Sequence, residues 1–466
     1  MNIGFLLENL ISIAQIPKTD FALSMNMTPS GLSKILTGKR LPLIRDNEIF
    51  SGQAARYFAG AIYEKKCYLK FKDIFPVIYD FESKEELEMF LAQAIEYRLH
   101  EDFAIKNKGN RDYSKKELSF LGNKNVLNMF CILVSEGIRD AGDSLLEFYS
   151  TLPLLSDVYM DLFWRVKILV SRKSHHIKFN HFLKTPCFEK AYDYYDINVL
   201  SFVFKAEQYV DFNLWKIKQE ITTPFLLLKG QFLLLFSAQM DGKIFLMTLI
   251  KQKGYLATFF NYLMKKDAEK ISYNREEALD ILEKDPSSIA RLIDEGMDAV
   301  YNFIHIGYLV NEDELENVVG SKSIRTNILR LFKNVLKNET VFYITVDAMV
   351  DFYSTGRVIV PLVGVIDIDK KERLSYLKRF GLYINEKGTD KIKIINSMLP
   401  KVTVLCLKDM SFVYVFDPEC EYEKIHCLHT NIIGNLLDKQ VKSGSLKLLE
   451  FSSELWDIYI DELSNR

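Results

Sequence analysis

With 466 residues, 48% of them apolar and 13% aromatic, the chain is too long for one compact core and too apolar to be disordered, so two or three folded domains are expected. The net charge of −2 conceals an asymmetry: residues 1–72 hold ten basic and five acidic side chains, about +5, which leaves about −7 for the rest. The most apolar windows, such as 225–238, are interrupted by Lys229, Gly230 and Gln231, and no basic segment precedes a continuous apolar run at the N-terminus. A soluble, cytoplasmic chain without a membrane partner is therefore expected.

The N-terminal segment 16–42 reads IPKTDFALSMNMTPSGLSKILTGKRLP, two short helical patterns joined by a tight turn. Phe21, Ala22 and Met25 fall at i, i+1 and i+4 on one face, with Ala22 small enough for a closely crossing helix. Asn26 tolerates the left-handed backbone that such a turn demands. Thr28 is a good N-cap and Pro29 a good first helical residue, while Leu32 and Ile35 continue the inward face. Gly38 ends the second helix, and the basic pair Lys39-Arg40 follows.

This stretch resembles the helix-turn-helix of the phage-repressor (Cro/Xre) family, and it matches that pattern without a gap. The likeness covers about seventy residues, counting 5–13 as a first helix and 44–63 as the helices that follow. It implies a second helix lying in the DNA major groove. Lys18 would then meet a phosphate, Thr28, Ser30, Ser33 and Lys34 would line the outer face of the recognition helix, and Lys39 and Arg40 would clamp the backbone. The Pro29-Ser30-Gly31 tip departs from the pattern by lacking Gln, Asn or Arg side chains for bidentate base contacts. Readout would lean on Lys34, Ser30 and DNA shape.

Beyond this head, Ser83 and Glu86 suggest a capping box ahead of an amphipathic helix bearing Leu87, Phe90, Leu91, Ala94 and Ile95. The charged stretch 106–117 marks a boundary. Helices are expected at 125–138, 144–149 and 154–170, and His175, His176 and His181 fall in a polar stretch read as a solvated connection. From about residue 200 the pattern becomes strand-like. Strands at 225–228, 232–236 and 244–247, with an Asp241-Gly242 turn, precede a helix at 255–270. The same order recurs as strands 402–407, 412–416 and 424–428 and a helix at 431–442, which suggests a degenerate internal duplication. Between the two, strands are expected at 341–345 and 358–368, and helices at 276–283, 289–303, 323–337, 347–354 and 370–380. The fold class is thus α+β and multidomain: a DNA-binding domain over 1–110, a helical middle over 111–200, and an α+β body over 201–466 that divides at 310/311.

The chemistry of the body is sparse. The six cysteines form no CxxC pair and read as reduced core thiols. Cys420, His426, Cys427 and His429 lie within ten residues and are zinc-ligand types, but their spacing fits no zinc pattern, so they are weak candidates and no metal or other cofactor is expected. Asp367 and Asp369 could hold Mg²⁺ at a strand end, yet Asp369 and Glu372 are better explained as a capping box. There is no phosphate loop, nucleophile elbow, HExxH or dinucleotide fingerprint, so no catalytic residue is assigned. The sequence leads to a DNA-binding transcriptional regulator, repressor-like and homodimeric, whose large non-catalytic body binds an unknown effector (a small molecule, peptide or protein). The alternatives are a phage-related or defence protein that docks proteins with its helix-turn-helix, and a DNA-tethered metal-dependent enzyme.

Overall fold

A computed structural model describes residues 2–43, 46–65, 67–106, 118–142, 144–152, 166–168, 176–184, 207, 210–217, 223–238, 244–288, 290, 294, 296–316, 321–337, 339–360, 364–388, 391–396, 402–417, 422–428, 431–449 and 452–464. It is a multidomain α+β structure whose described residues include fourteen helices and two mixed sheets of eight strands. The chain divides into two compact units. One comprises 1–182, 209–212 and 219–267, the other 183–208, 213–218 and 268–466.

The first unit opens with five helices: α1 (Ile3–Ala14), α2 (Lys18–Ser24), α3 (Pro29–Leu36), α4 (Asn47–Glu64) and α5 (Lys84–Lys106). Short strands β1 (Val77–Tyr79) and β4 (Val166–Ile168) pair with each other. The main sheet is built from β2 (Leu118–Leu121), helix α6 (Asn123–Ala141), β3 (Leu146–Ser150), β5 (Ile177–Lys184), β6 (Asp211–Ile217), β7 (Phe225–Leu228), β8 (Phe232–Ala238) and β9 (Ile244–Ile250). Helix α7 (Lys253–Met264) follows; the sheet's last strand, β10 (Ala268–Lys270), pairs with residues 215–217 of β6, and both of these segments belong to the second unit. Leucine runs build the centre: Leu226, Leu227, Leu228, Leu233 and Leu234 are all buried, as expected of central strands covered on both faces.

The second unit contains β11 (Ser272–Asn274), α8 (Arg275–Lys284), β12 (Ala299–Asn302), α9 (Glu312–Glu316), α10 (Lys322–Lys337), β13 (Val341–Thr345) and α11 (Val346–Thr355). The hairpin β14–β15 (Arg357–Val360, Gly364–Asp367), α12 (Lys370–Lys387) and β16 (Ile392–Ile395) come next. The chain closes with β17 (Val402–Cys406), β18 (Ser411–Asp417), β19 (Tyr422–Leu428), α13 (Ile432–Lys442), β20 (Leu448–Leu449) and α14 (Ser453–Ser464).

The two sheets have the same strand order. The first runs β2-β9-β8-β7-β3-β5-β6-β10 and the second β11-β19-β18-β17-β12-β13-β16-β20. In each, a strand and a helix precede a strand that pairs parallel to the next sheet strand in sequence and antiparallel to the first strand of a three-stranded meander (β3 with β5 and β7, β12 with β13 and β17). In each, a helix follows the meander, and the opening strand returns antiparallel to the last meander strand. The recurrence of element order expected of the meanders therefore extends over the whole of both sheets.

Several expectations need correction. The segment 144–149 is not a helix but contributes to β3, and of 154–170 the described part is strand β4. β3 is buried on both faces, so it shows no polar alternation to reveal its period. Residues 299–302, expected within a helix, form strand β12. His181 is not in a solvated connection: it lies buried in β5, while His176 is an exposed turn residue and His175 lies outside the described residues. Asp369 does occupy the N-cap of α12, but its side chain makes no capping hydrogen bond, so the capping box with Glu372 is not formed. Asp367 pairs across its hairpin with Arg357 at 3.5 Å, both exposed.

Candidate nucleic-acid interface

The head is organised by local chain stops. Asn2 caps α1 by accepting the Phe5 N–H at 2.8 Å. In α2, Phe21 and Ala22 are fully buried, and the Phe21 ring packs 4.6 Å from Phe58 of α4. Asn26 turns the chain with φ of 51°, and the Met27 N–H reaches back to the Ala22 carbonyl at 2.9 Å. The Thr28 hydroxyl caps α3 by accepting from the Gly31 N–H at 3.1 Å, with Pro29 as the first helical residue. Leu32 and Ile35 close onto the core. Gly38 leaves the helix at φ of 71°, and the Arg40 N–H returns to the Lys34 carbonyl at 3.0 Å. The main chain of the basic exit is thereby fixed against α3.

Thr28, Ser30, Ser33, Lys34, Lys39 and Arg40 are all exposed. Among the described residues, the side chains of Lys34, Lys39 and Arg40 have no acidic partner, and the hydroxyls of Ser30 and Ser33 make no hydrogen bond. Lys18 differs, because its ammonium is engaged by Glu8 of α1. That exposed pair is weak enough to open, so Lys18 is not preset for a phosphate.

Three supporting residues have no local sequence signature. Gly4 of α1 lies against the end of α3, where an added Cβ would sit 2.1 Å from the Leu36 carbonyl oxygen; only glycine permits that approach. Asp102 of α5 accepts the Ile3 N–H at 2.7 Å, holding the start of α1. Burial pushes the Asp102 carboxyl up, opposed by that N–H and by Arg98. Lys106, at the end of the same helix, donates to the Gly38 carbonyl at 3.1 Å. These contacts span 68 to 99 residues of sequence.

Helix α5 also connects the head to the first sheet. Buried Arg98 donates to Glu136 of α6 at 2.6 Å and lies 3.8 Å from both Glu101 and Asp102. Burial raises the Glu136 carboxyl, but Arg98 and then Lys251 more than reverse this, and it stays below the ordinary value. Lys251, just after β9, reaches Tyr97 at 2.5 Å and Glu101 at 3.1 Å. The head, α5, α6 and the end of the meander are thus joined by one chain of charge-assisted contacts.

Of the four weak metal candidates, Cys420 and His429 lie outside the described residues. His426 is buried with both ring nitrogens engaged: Nδ1 lies 2.7 Å from the Ser272 hydroxyl and Nε2 contacts Glu207. Cys427 is next to it on β19 and points to the opposite face, and burial pushes its thiol up to about 12. A thiol that stays protonated is a poor metal ligand. Among the described residues no group of three or more His, Cys, Asp or Glu side chains could hold a metal ion, and no helix is long and apolar enough to cross a membrane.

No family model and no curated protein matches the chain. Among solved structures, it is similar to that of TrmBL2, described as an archaeal chromatin protein with a novel mode of DNA binding. The identity is 11%, over 48% of this chain and 94% of that one. The TM-score of 0.22 is too low to make this a shared fold.

Proposed function

We propose that the chain is a sequence-specific DNA-binding transcriptional regulator whose α3 enters the major groove. The observation that carries this is the outer face of α3 with its exit: Ser30, Ser33, Lys34, Lys39 and Arg40 are exposed on a backbone that Asn26, Thr28 and Gly38 hold rigidly. Cations without an internal partner, preset in position, are what phosphate contacts require. One such head reads few base pairs, so the working form is a homodimer on half-sites about 34 Å, or a multiple of that, apart. The duplicated sheets are the regulatory body, non-catalytic and responsive to an effector. The Arg98–Glu136 contact is the route by which that body would bias the head.

The test is Lys34→Ala/Lys39→Ala/Arg40→Ala in the full-length chain. Duplex binding should be abolished with the circular dichroism spectrum unchanged, and any residual binding should show a salt slope lower by about 0.9 for each lost phosphate contact. Light scattering on the wild-type complex should give two chains per operator duplex. Unchanged affinity in the triple variant would overturn the reading in favour of protein docking by the head.

A further inference from the structure

Helices α7 and α13 occupy the same place in the two sheets, each following the last meander strand, yet they are built differently. α13 buries Ile433, Gly434, Leu436 and Leu437, and its Lys442 is paired with Asp438 at 2.5 Å. α7 buries only Leu256 and Leu263, leaving Tyr255, Tyr262 and Met264 about half exposed. Residues 251–266 contain Lys251, Lys253, Lys265 and Lys266 and no acidic residue. Lys251 is held by Glu101. Lys253 and Lys265 have no acidic partner among the described residues, and the Lys266 ammonium lies 4.5 Å from the centre of the Tyr262 ring. Tyr255, Phe259 and Tyr262 fall at i, i+4 and i+7, forming one stripe on which Tyr255 stacks against Phe259.

The position of this helix gives the basic face a use. Lys251, two residues before α7, contacts α5 at Glu101. Five residues further along α5, roughly 7.5 Å of helix, Lys106 touches the Gly38 carbonyl at the exit of α3. The segment that leads into α7 and the chain that leaves α3 are therefore both tied to the C-terminal part of α5, within the same compact unit.

We propose that α7 is a second duplex-DNA contact, in which Lys253 and Lys265, with the Tyr255 and Tyr262 hydroxyls, bind phosphates flanking the segment that α3 enters. The inference rests on the DNA-binding reading of the head and extends its footprint. Charge complementarity favours this occupant, because the segment 251–266 carries four lysines and no acid, belongs to the same compact unit as the basic head and offers exposed tyrosine hydroxyls, which donate readily to phosphate. A membrane-surface helix would need a broad apolar face. Here Leu256 and Leu263 face the protein core, and Thr258 and Asn261 are among the exposed residues.

The experiment measures the salt dependence of binding of the full-length chain to a mixed-sequence duplex reaching well past one half-site, with hydroxyl-radical footprinting. Lys253→Gln/Lys265→Gln should lower the slope by nearly two, at about 0.9 per contact, and shorten protection on one side. Lys439→Gln/Lys442→Gln on α13 should leave both unchanged. If the wild-type chain binds no duplex, the reading of the head fails and this inference with it. If it binds and the α7 variant keeps the full slope and footprint, the second contact is refuted while the head stands. Loss of binding to phosphatidylserine vesicles in that variant, with DNA binding unaffected, would overturn the choice of DNA.

Discussion

The two sheets share one strand order but not one interior. At the edge of the first, β2 meets β9 through an exposed hydroxyl pair, Ser119 and Thr248, at 3.2 Å. At the matching edge of the second, β11 meets β19 through Ser272 and His426, fully buried, with His426 passing on to buried Glu207. Lys424, two residues before His426, is also buried, 3.4 Å from Asn213. The topology is therefore carried by the apolar strands common to both sheets, and the chemistry at the edge is free to diverge. The comparison separates what the fold needs from what each copy has added. The first sheet carries lysines on and around α7, and the second carries an inward polar network. Such networks specify a single arrangement more sharply than apolar packing does.

The largest effect that should distinguish the copies is at this edge. His426→Ala leaves the buried Glu207 carboxyl without the imidazole that contacts it and should cost about 3–5 kcal/mol in urea unfolding. Thr248→Ala, at the matching half-buried position, should cost only about 1 kcal/mol, the worth of one hydroxyl hydrogen bond. Equal costs for the two substitutions would show that the inward network contributes nothing particular to the second copy.

The parts of this architecture that were legible in the sequence are those with local causes. Asn26, Thr28 and Gly38 each mark a chain stop by their own conformational preference, so the boundaries of α2 and α3 can be read directly. Strand 341–345 and both meanders were likewise legible, because long apolar runs between turns leave little alternative. β3 and β12 were not, because they are short and buried almost throughout, and periodicity cannot separate such strands from buried helix. Gly4, Asp102 and Lys106 support the candidate site through contacts made across the fold and leave no pattern in their neighbours. The aromatic stripe of α7 announces a helix, but only packing shows that Leu256 and Leu263 face inward and Tyr255 and Tyr262 do not.

A second contrast concerns acid. Each unit holds a histidine packed among aromatic rings: His181, buried near Phe179 and Phe212, in the first, and His305, partly buried and stacked 4.4 Å from Phe352, in the second. Burial pushes both down to about 3. A folded value below the ordinary 6.5 means that the fold accepts only the neutral ring. The stability is then fully present above about pH 6.5 and is lost as pH falls towards the folded value. At about 1.4 kcal/mol per pH unit for each histidine, each should cost its own unit about 2 kcal/mol between pH 6.5 and 5. His181→Phe should remove this acid sensitivity from the first unit and leave that of the second, as read by urea unfolding at the two pH values. If the wild-type chain is equally stable at both, the two rings are not held neutral.

The smallest effect tests how α7 and α13 are seated. Gly254 is the second residue of α7, and a Cβ added there meets no atom within 4 Å. Gly434 is the third residue of α13, and its added Cβ would fall 2.2 Å from the Asn431 side-chain oxygen and 2.7 Å from the Cys406 sulfur. Neither atom can swing clear cheaply, because Asn431 is held by the Ser411 hydroxyl at 3.0 Å and Cys406 is a core residue of β17. Gly254→Ala should therefore be neutral or stabilise by up to about 1 kcal/mol through helix propensity. Gly434→Ala should destabilise by at least about 1 kcal/mol through overpacking. Opposite signs in thermal unfolding would confirm that α13 is closely packed at Gly434 and that α7 is open at Gly254. The same sign at both sites would mean that the start of α7 is as closely packed as that of α13.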